Sequence, residues 1–264
     1  MPINYEYICL NVADIARNTG LRLRKMRDDA GIKITQKGKN DFVTQFDRAV
    51  EQSLVELLSA MLPSAGFIAE EGTSDKRGER FNWVIDPIDG TTNFIHGLFP
   101  YCISIALMEG SEVVVGVIYE VGFDECFYAW KHGKAMLNGN EIHVSRAATV
   151  ADSLIATGFP YTDFGLIDRF MDSLQYFMQK SHGMRRLGSA AADLAYVACG
   201  RVDAFYEYGL KPWDVAAGAL IVQQAGGNVA DFTGNNGYIF GRQLVAANSL
   251  VFDEFMQITA MFLQ

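Results

Sequence analysis

The sequence predicts a mixed fold in two packed parts, α+β up to about residue 148 and α/β from 149 to 264. Three observations predict it. A long helical periodicity opens the chain, β-rich runs crowd residues 101–130, and after residue 148 short strands alternate with helical stretches. Half of the 264 residues are apolar, enough for a large core. No linker rich in Pro, Ser or charge separates the parts. Subdomains 1–148 and 149–264 are therefore expected to pack as one unit with one cleft.

Taken in order, residues 3–27 carry Tyr7, Leu10, Ala13 and Leu21 near helical spacing. Gly31 and the polar stretch Gln36–Asn40 break that helix. Thr44 is an N-cap candidate with Asp47 in the first turn, opening a second helix that runs to about Met61 and stops before Pro63. Phe67–Ala69 reads as a short strand delivering Glu70 and Glu71 to a loop. Trp83–Ile85 is another strand. It ends on Asp86, because Pro87 has no N–H to offer a neighbour. Residues 101–107, 112–120 and 124–130, rich in Val, Ile, Tyr and Phe, are strands, and Asn138-Gly139 signals a hairpin. Strands at 153–157, 203–206 and 243–247 then alternate with helices near 165–179, 189–199, 212–225 and 250–263. Pro212 suits the first turn of its helix.

The charge excludes some functions. With 31 acidic and 22 basic residues the net charge is −9, which argues against nucleic acid as the main ligand. Cys9, Cys102, Cys126 and Cys199 are scattered and form no C-x-x-C, so neither zinc nor redox motifs are expected. The N-terminus lacks a basic start followed by an apolar run, and no apolar stretch is long enough to span a bilayer. A cytoplasmic location without membrane contact is the expectation.

The most informative segment is Trp83–Phe94, W-V-I-D-P-I-D-G-T-T-N-F. Asp86 and Asp89 stand on a stiff turn at a strand end, and the amide of Gly90 is open to close approach by a ligand. Carboxylates suit hard cations, and turn or helix-start N–H groups suit a phosphate. Further acids stand at element ends: Asp47, Glu70, Glu71, and Asp214 in K-P-W-D-V-A-A-G. Gathered without cations, they would repel one another and bind protons more tightly. Bound cations reverse that logic.

This segment resembles the signature of the inositol monophosphatase family, and the resemblance spans nearly the whole chain. Asp41–Asp47 (D-F-V-T-Q-F-D), Phe67–Glu71, and Trp213–Gly218 followed by Gln224–Gly227 are similar to the family's other motifs, in the same order and spacing. The resemblance implies a layered αβαβα sandwich of the sugar phosphatase type and a magnesium-dependent phosphomonoesterase with two to three Mg2+ per site. It implies that Glu70, Asp86 and the carbonyl of Ile88 hold one ion, that Asp86, Asp89 and Asp214 hold a second, and that a third leans on Glu70. Thr91, backed by Asp47, matches the pair that orients the attacking water. Gly90 and Thr91 match the phosphate contacts. Asp89, Glu207 and the Gly188-Ser189-Ala190 helix start match the contacts to substrate hydroxyls. Lithium inhibition and a homodimer are also implied.

Two cations stabilise both the attacking and the leaving oxygen of an in-line displacement, and phosphoryl transfer needs positioning and charge neutralisation above all. No histidine base is then needed, and His96 reads as a loop or core residue. Thr92-Asn93-Phe94 looks like the inositol monophosphatase subgroup, whereas relatives acting on histidinol phosphate or phosphoadenosine phosphate often carry Arg or Lys where Thr92 stands. The expected substrate is a small phosphate monoester, myo-inositol monophosphate or a similar polyol monophosphate. Histidinol phosphate, 3′-phosphoadenosine 5′-phosphate and fructose 1,6-bisphosphate are the alternatives within the same chemistry. A reading of another class is a binding partner of transcription complexes, as some bacterial members are. Lys37, in the 36–40 loop, is a candidate to fold over the site, and Arg185-Arg186 reads as a solvated or interface pair, with contact to a phosphate as the alternative.

Overall fold

In β4 (Phe81–Asp89 below), successive side chains enter two different cores: Trp83 and Ile85 face one, Val84 the other. That alternation with apolar residues on both faces is what a strand buried on both sides requires, and it sets the layering of the molecule. The computed structural model describes residues 3–29, 34–38 and 41–264, and the side chains of these except 28–29, 34, 36–38 and 41–43. The expectations for Lys37 and for the 36–40 loop lie outside the described side chains.

The outer layer holds helices α1 (Tyr5–Asp29) and, after the hairpin β1 (Ile34–Gly38) and β2 (Asp41–Thr44), α2 (Gln45–Met61). Thr44 caps α2 as expected. These helices cover one face of a seven-stranded sheet. Its members, in spatial and chain order, are β3 (Gly66–Ala69), β4 (Phe81–Asp89), β5 (Cys102–Glu109), β6 (Glu112–Glu120), β7 (Glu125–Trp130), β8 (Met136–Leu137) and β9 (Asn140–Glu141). Helix α3 (Thr91–His96) interrupts the path from β4 to β5. The turn between β8 and β9 is Asn138-Gly139, both at positive φ, as a tight hairpin turn requires.

The second sheet has the order β11-β10-β12-β14-β13, drawn from β10 (Leu154–Thr157), β11 (Gly183–Arg185), β12 (Ala204–Tyr208), β13 (Gly227–Ala230) and β14 (Gln243–Asn248). Helices α4 (Ile167–Lys180) and α7 (Phe252–Leu263) cover its outer face. Between the two sheets lie α5 (Ala190–Ala198) and α6 (Pro212–Gln224). All nine residues of α5 are buried and all but Asp193 are apolar, as in a helix packed between two layers. Small residues make the fit possible: a Cβ on Gly218 of α6 would stand 2.5 Å from the Cβ of Leu194, and one on Gly116 of β6 would stand 2.6 Å from the Ala217 carbonyl. The layers run helix, sheet, helix, sheet, helix.

One sequence expectation is corrected. Pro87 does not end the strand, since β4 pairs with β5 through Asp89 across an irregularity. Helix α1 ends at Asp29, before the stretch expected to break it, and the strands β1 and β2 were not foreseen. The strands β11 and β13 and the one-turn helix α3 were not foreseen.

Candidate active site

The irregularity in β4 builds the site. Asp86 pairs with Ser104 and Asp89 with Cys102, so three steps along β4 oppose two along β5. One extra residue, at Pro87-Ile88, is a β-bulge, and it resets the alternation of faces. Two carboxylates at odd spacing, which a regular strand would send to opposite faces, therefore meet. Together with Asp214 they place carboxylate oxygens all within 4.8 Å of one another. The N–H of Ile88 donates to Asp86 Oδ1 at 2.9 Å and fixes its rotamer.

Asp214 arrives from the other half of the chain, in the first turn of α6 behind Pro212, where its Oδ2 accepts the Lys211 N–H at 2.8 Å. Ser104 on β5 donates to the Trp213 carbonyl at 3.0 Å and ties α6 to β5 beside the acids. Asp89 Oδ2 accepts the Ser189 hydroxyl and, at 2.7 Å, the N–H of Ala191, so α5 points its N-terminus at this carboxylate. Ser189 also caps α5 through Ala192 N–H at 3.2 Å. Glu70 follows β3. Its loop is held from below by the fully buried Glu51, whose oxygens accept Glu71 N–H at 2.7 Å and Thr73 N–H at 2.8 Å.

Asp47 is buried in the first turn of α2. Its Oδ2 accepts the Thr44 N–H at 2.8 Å and the Thr44 hydroxyl at 2.6 Å. Its Oδ1 lies 3.3 Å from Thr91 Oγ1, which also stands 3.0 Å from the Ile88 carbonyl. Gly90, at φ +92°, opens α3. A side chain there would be strained, and its Cβ would crowd the carbonyls of Gly188 and Pro100 at 3.1 and 3.2 Å.

Every residue expected at the site except Asp47 lines one cavity of about 330 Å³, and Asp47 reaches it through Thr91. Glu207 lines the same cavity, its carboxylate packed over Gly158, where a Cβ would come within 2.0 Å. His96 is exposed at the end of α3 and does not line the cavity. Among the lining residues that the sequence reading did not place at the site are Phe159, Tyr161 and Asp193, and Arg186 joins them there. The Arg186 guanidinium lies 5.5 Å from the Phe159 ring centre and 5.6 Å from that of Tyr161, and it donates to the Tyr161 hydroxyl. Asp193 had a usable signal, a single acid in the apolar run A-A-A-D-L-A.

The electrostatics call for positive charge. Burial, then the like charges of Glu70, Asp89 and Asp214, hold Asp86 well above the usual carboxylate range. Burial and Asp89 do the same to Asp214. Burial raises Asp89 to about 6 against the pull of its Ser189 and α5 hydrogen bonds. Asp47 is raised by burial, with Thr44 pulling it back. Hard oxygen donors crowded at this distance fit a divalent cation.

Comparisons with known proteins agree with this geometry. The model of the inositol monophosphatase family matches residues 6–260. The chain is 40% identical over 245 residues to the Escherichia coli K12 protein named Nus factor SuhB, covering 92% of each chain. It is 39% identical over 221 residues to the inositol-1-monophosphatase of Mesorhizobium japonicum, covering 83% of each. Its fold superposes on a Thermotoga maritima IMPase with a TM-score of 0.86 at 34% identity, covering 95% of this chain and 96% of that one. Matched along nearly its whole length, and layered like its solved relatives, the chain belongs to the inositol monophosphatase family of phosphomonoesterases.

Proposed function

We propose that this chain hydrolyses myo-inositol monophosphate, or a similar polyol monophosphate, to alcohol and phosphate with magnesium. The observation that carries the reading is the meeting of Asp86, Asp89 and Asp214 within 4.8 Å, beside a Thr91 hydroxyl in contact with Asp47. Glu70, Asp86 and the Ile88 carbonyl would hold one ion, Asp86, Asp89 and Asp214 a second, and Glu70 would contribute to a third. Magnesium bound there would supply charge neutralisation at the phosphoryl oxygens and a more acidic water. Thr91 Oγ1 orients the attacking water, and Asp47 holds Thr91 in place. The N–H groups of Gly90 and Thr91 receive the phosphate at the start of α3. Asp89, the Ala190 N–H and Glu207 receive hydroxyls of the alcohol, with Gly188 and Ser189 shaping that wall. In this reading residues 1–148 bring most of the ion ligands, and residues 149–264 bring Asp214 and the substrate contacts.

The test is phosphate release from inositol 1-phosphate, histidinol phosphate, 3′-phosphoadenosine 5′-phosphate and fructose 1,6-bisphosphate, with and without magnesium. A magnesium-dependent preference for the inositol ester supports the reading. Preference for another ester keeps the chemistry and overturns the substrate. Lithium inhibition and a homodimer belong to the same reading, checked by titrating LiCl and by sedimentation.

The name of the E. coli relative, Nus factor SuhB, favours a second role as a partner of transcription complexes. Copurification with RNA polymerase and its elongation factors tests it; their absence from a tagged preparation argues against it. Among the described residues no helix is long and apolar enough to cross a membrane.

A further inference from the structure

We infer that Asp193 is a specificity-determining residue which, with Arg186 and Glu207, receives a ring hydroxyl of the alcohol in the same cavity as the ion ligands. This deepens the proposed function and rests on its substrate class. The carrying observation is a pair of unmet polar atoms. Asp193 is only 1% exposed and lines the cavity, yet its Oδ1 has no hydrogen-bond partner. Arg186 Nε, in the same wall, also lacks one. Buried polar atoms are nearly always satisfied, so two orphans in one cavity wall mark a place that a ligand completes.

The two orphans have opposite needs. A carboxylate oxygen accepts, and a guanidinium Nε–H donates. A hydroxyl serves either, donating to Asp193 or accepting from Arg186, whereas a second phosphate suits only Arg186 and is repelled by Asp193 and Glu207. The wall holds two carboxylates and one guanidinium, with Arg186 spanning Phe159 and Tyr161. A flat guanidinium packed against two rings is held in orientation. Asp193 is fixed in turn by its place in α5, whose N-terminus already holds Asp89. One helix therefore carries both the support of an ion ligand and a contact to the alcohol. The chemistry recognised is a polyhydroxylated ring bearing one phosphate; a bisphosphate is disfavoured.

The test compares kcat/KM for inositol 1-phosphate with that for p-nitrophenyl phosphate, which bears no hydroxyl, in wild type and in Asp193→Asn. The amide keeps the shape and removes the charged acceptor. The expected result is a fall of about tenfold or more in the ratio of the two, carried mainly by KM, as for a site built to hydrogen-bond a hydroxyl. A ratio that survives Asp193→Asn, with both substrates falling together or neither falling, overturns the inference alone. A wild type that does not prefer the inositol ester overturns the substrate reading and the inference with it. Single-deoxy inositol phosphates on wild type give an answer even where the variant does not fold. One hydroxyl beyond those next to the ester must cost about tenfold when deleted, and in a folded Asp193→Asn that deletion must cost no more. If no such hydroxyl exists, Asp193 reads none.

Discussion

Replacing Asp89 by Asn has an effect on stability whose sign depends on metal. In the metal-free protein burial raises Asp89 from 3.8 to about 6, so the folded chain holds the proton more tightly than the unfolded one. That stabilisation is complete below about pH 4 and is lost as pH rises through about 6. A shift of this size corresponds to about 3 kcal/mol. Asn removes the ionisation. The hydrogen bonds from Ser189 and from Ala191 N–H favour the charged form and are already contained in that net shift. At pH 8 in chelator the variant is therefore expected to be more stable by about 3 kcal/mol, melting roughly 6–12 °C above wild type. Near pH 4 the difference vanishes. Magnesium reverses the order: wild type gains about 4 kcal/mol at a thousandfold excess over Kd, and the variant, short of a ligand and a charge, gains little. Thermal unfolding at pH 4 and pH 8, in chelator and in magnesium, reads all four corners. An Asp89→Asn protein that melts below wild type in chelator at pH 8, or that gains as much from magnesium, would refute the reasoning.

Three further substitutions test other parts of the site. Thr91→Ala removes the hydroxyl between Asp47 and the Ile88 carbonyl; turnover is expected to fall about 10²-fold with little change in the magnesium concentration for half-maximal rate, and steady-state kinetics across a magnesium titration separates the two. Glu51→Gln sets an amide N–H against one of the backbone donors of the 71–73 loop; the expected cost is about 1–3 kcal/mol in thermal unfolding, with weaker magnesium binding by calorimetry because Glu70 loses its support. Gly158→Ala puts a Cβ 2.0 Å from the Glu207 carboxylate and must displace it; KM for the polyol ester is expected to rise roughly tenfold, and an unmoved KM removes Glu207 from substrate contact.

The legible parts of the site were those where one local rule decides. Thr44 with Asp47, Pro212 with Asp214, and Asn138-Gly139 each follow from capping or turn chemistry within four residues, and each sits where that chemistry places it. Pro87 was read by the same local logic and misled. A missing N–H ends pairing in a regular ladder, but a bulge absorbs the proline, and the strand resumes at Asp89. That outcome depends on β5 lying opposite, which no local rule contains. The strands Gly183–Arg185 and Gly227–Ala230 are short and poor in β-branched residues, and only a neighbouring strand makes them extended. Arg186 reads from sequence as a solvated or interface charge, because the 158–163 segment that packs against it in the cavity is remote in sequence. The layering itself came from resemblance, since periodicity cannot say which helix is covered on every side.

Asp47, Asp89 and Asp214 show why reading each acid as either a helix cap or a chemical group is a false choice. Each gives one oxygen to backbone N–H groups at the start of a helix: Asp47 at α2, Asp89 at α5 and Asp214 at α6. Helix N-termini carry partial positive charge and unpaired N–H groups, so they hold a carboxylate in place and favour its charged form. For Asp47 and Asp89 those hydrogen bonds already oppose the effect of burial. The other oxygen of each is left for chemistry, on Thr91 for Asp47 and in the ion cluster for Asp89 and Asp214. Three helices thus converge with their positive ends on one point. The fold thereby supplies in part, from its backbone, the charge that the cluster needs before any cation arrives. Capping fixes the position of the acids, burial between two sheets makes their charge costly, and the cation relieves that cost, so metal binding and the stability of this layered core are one linked equilibrium.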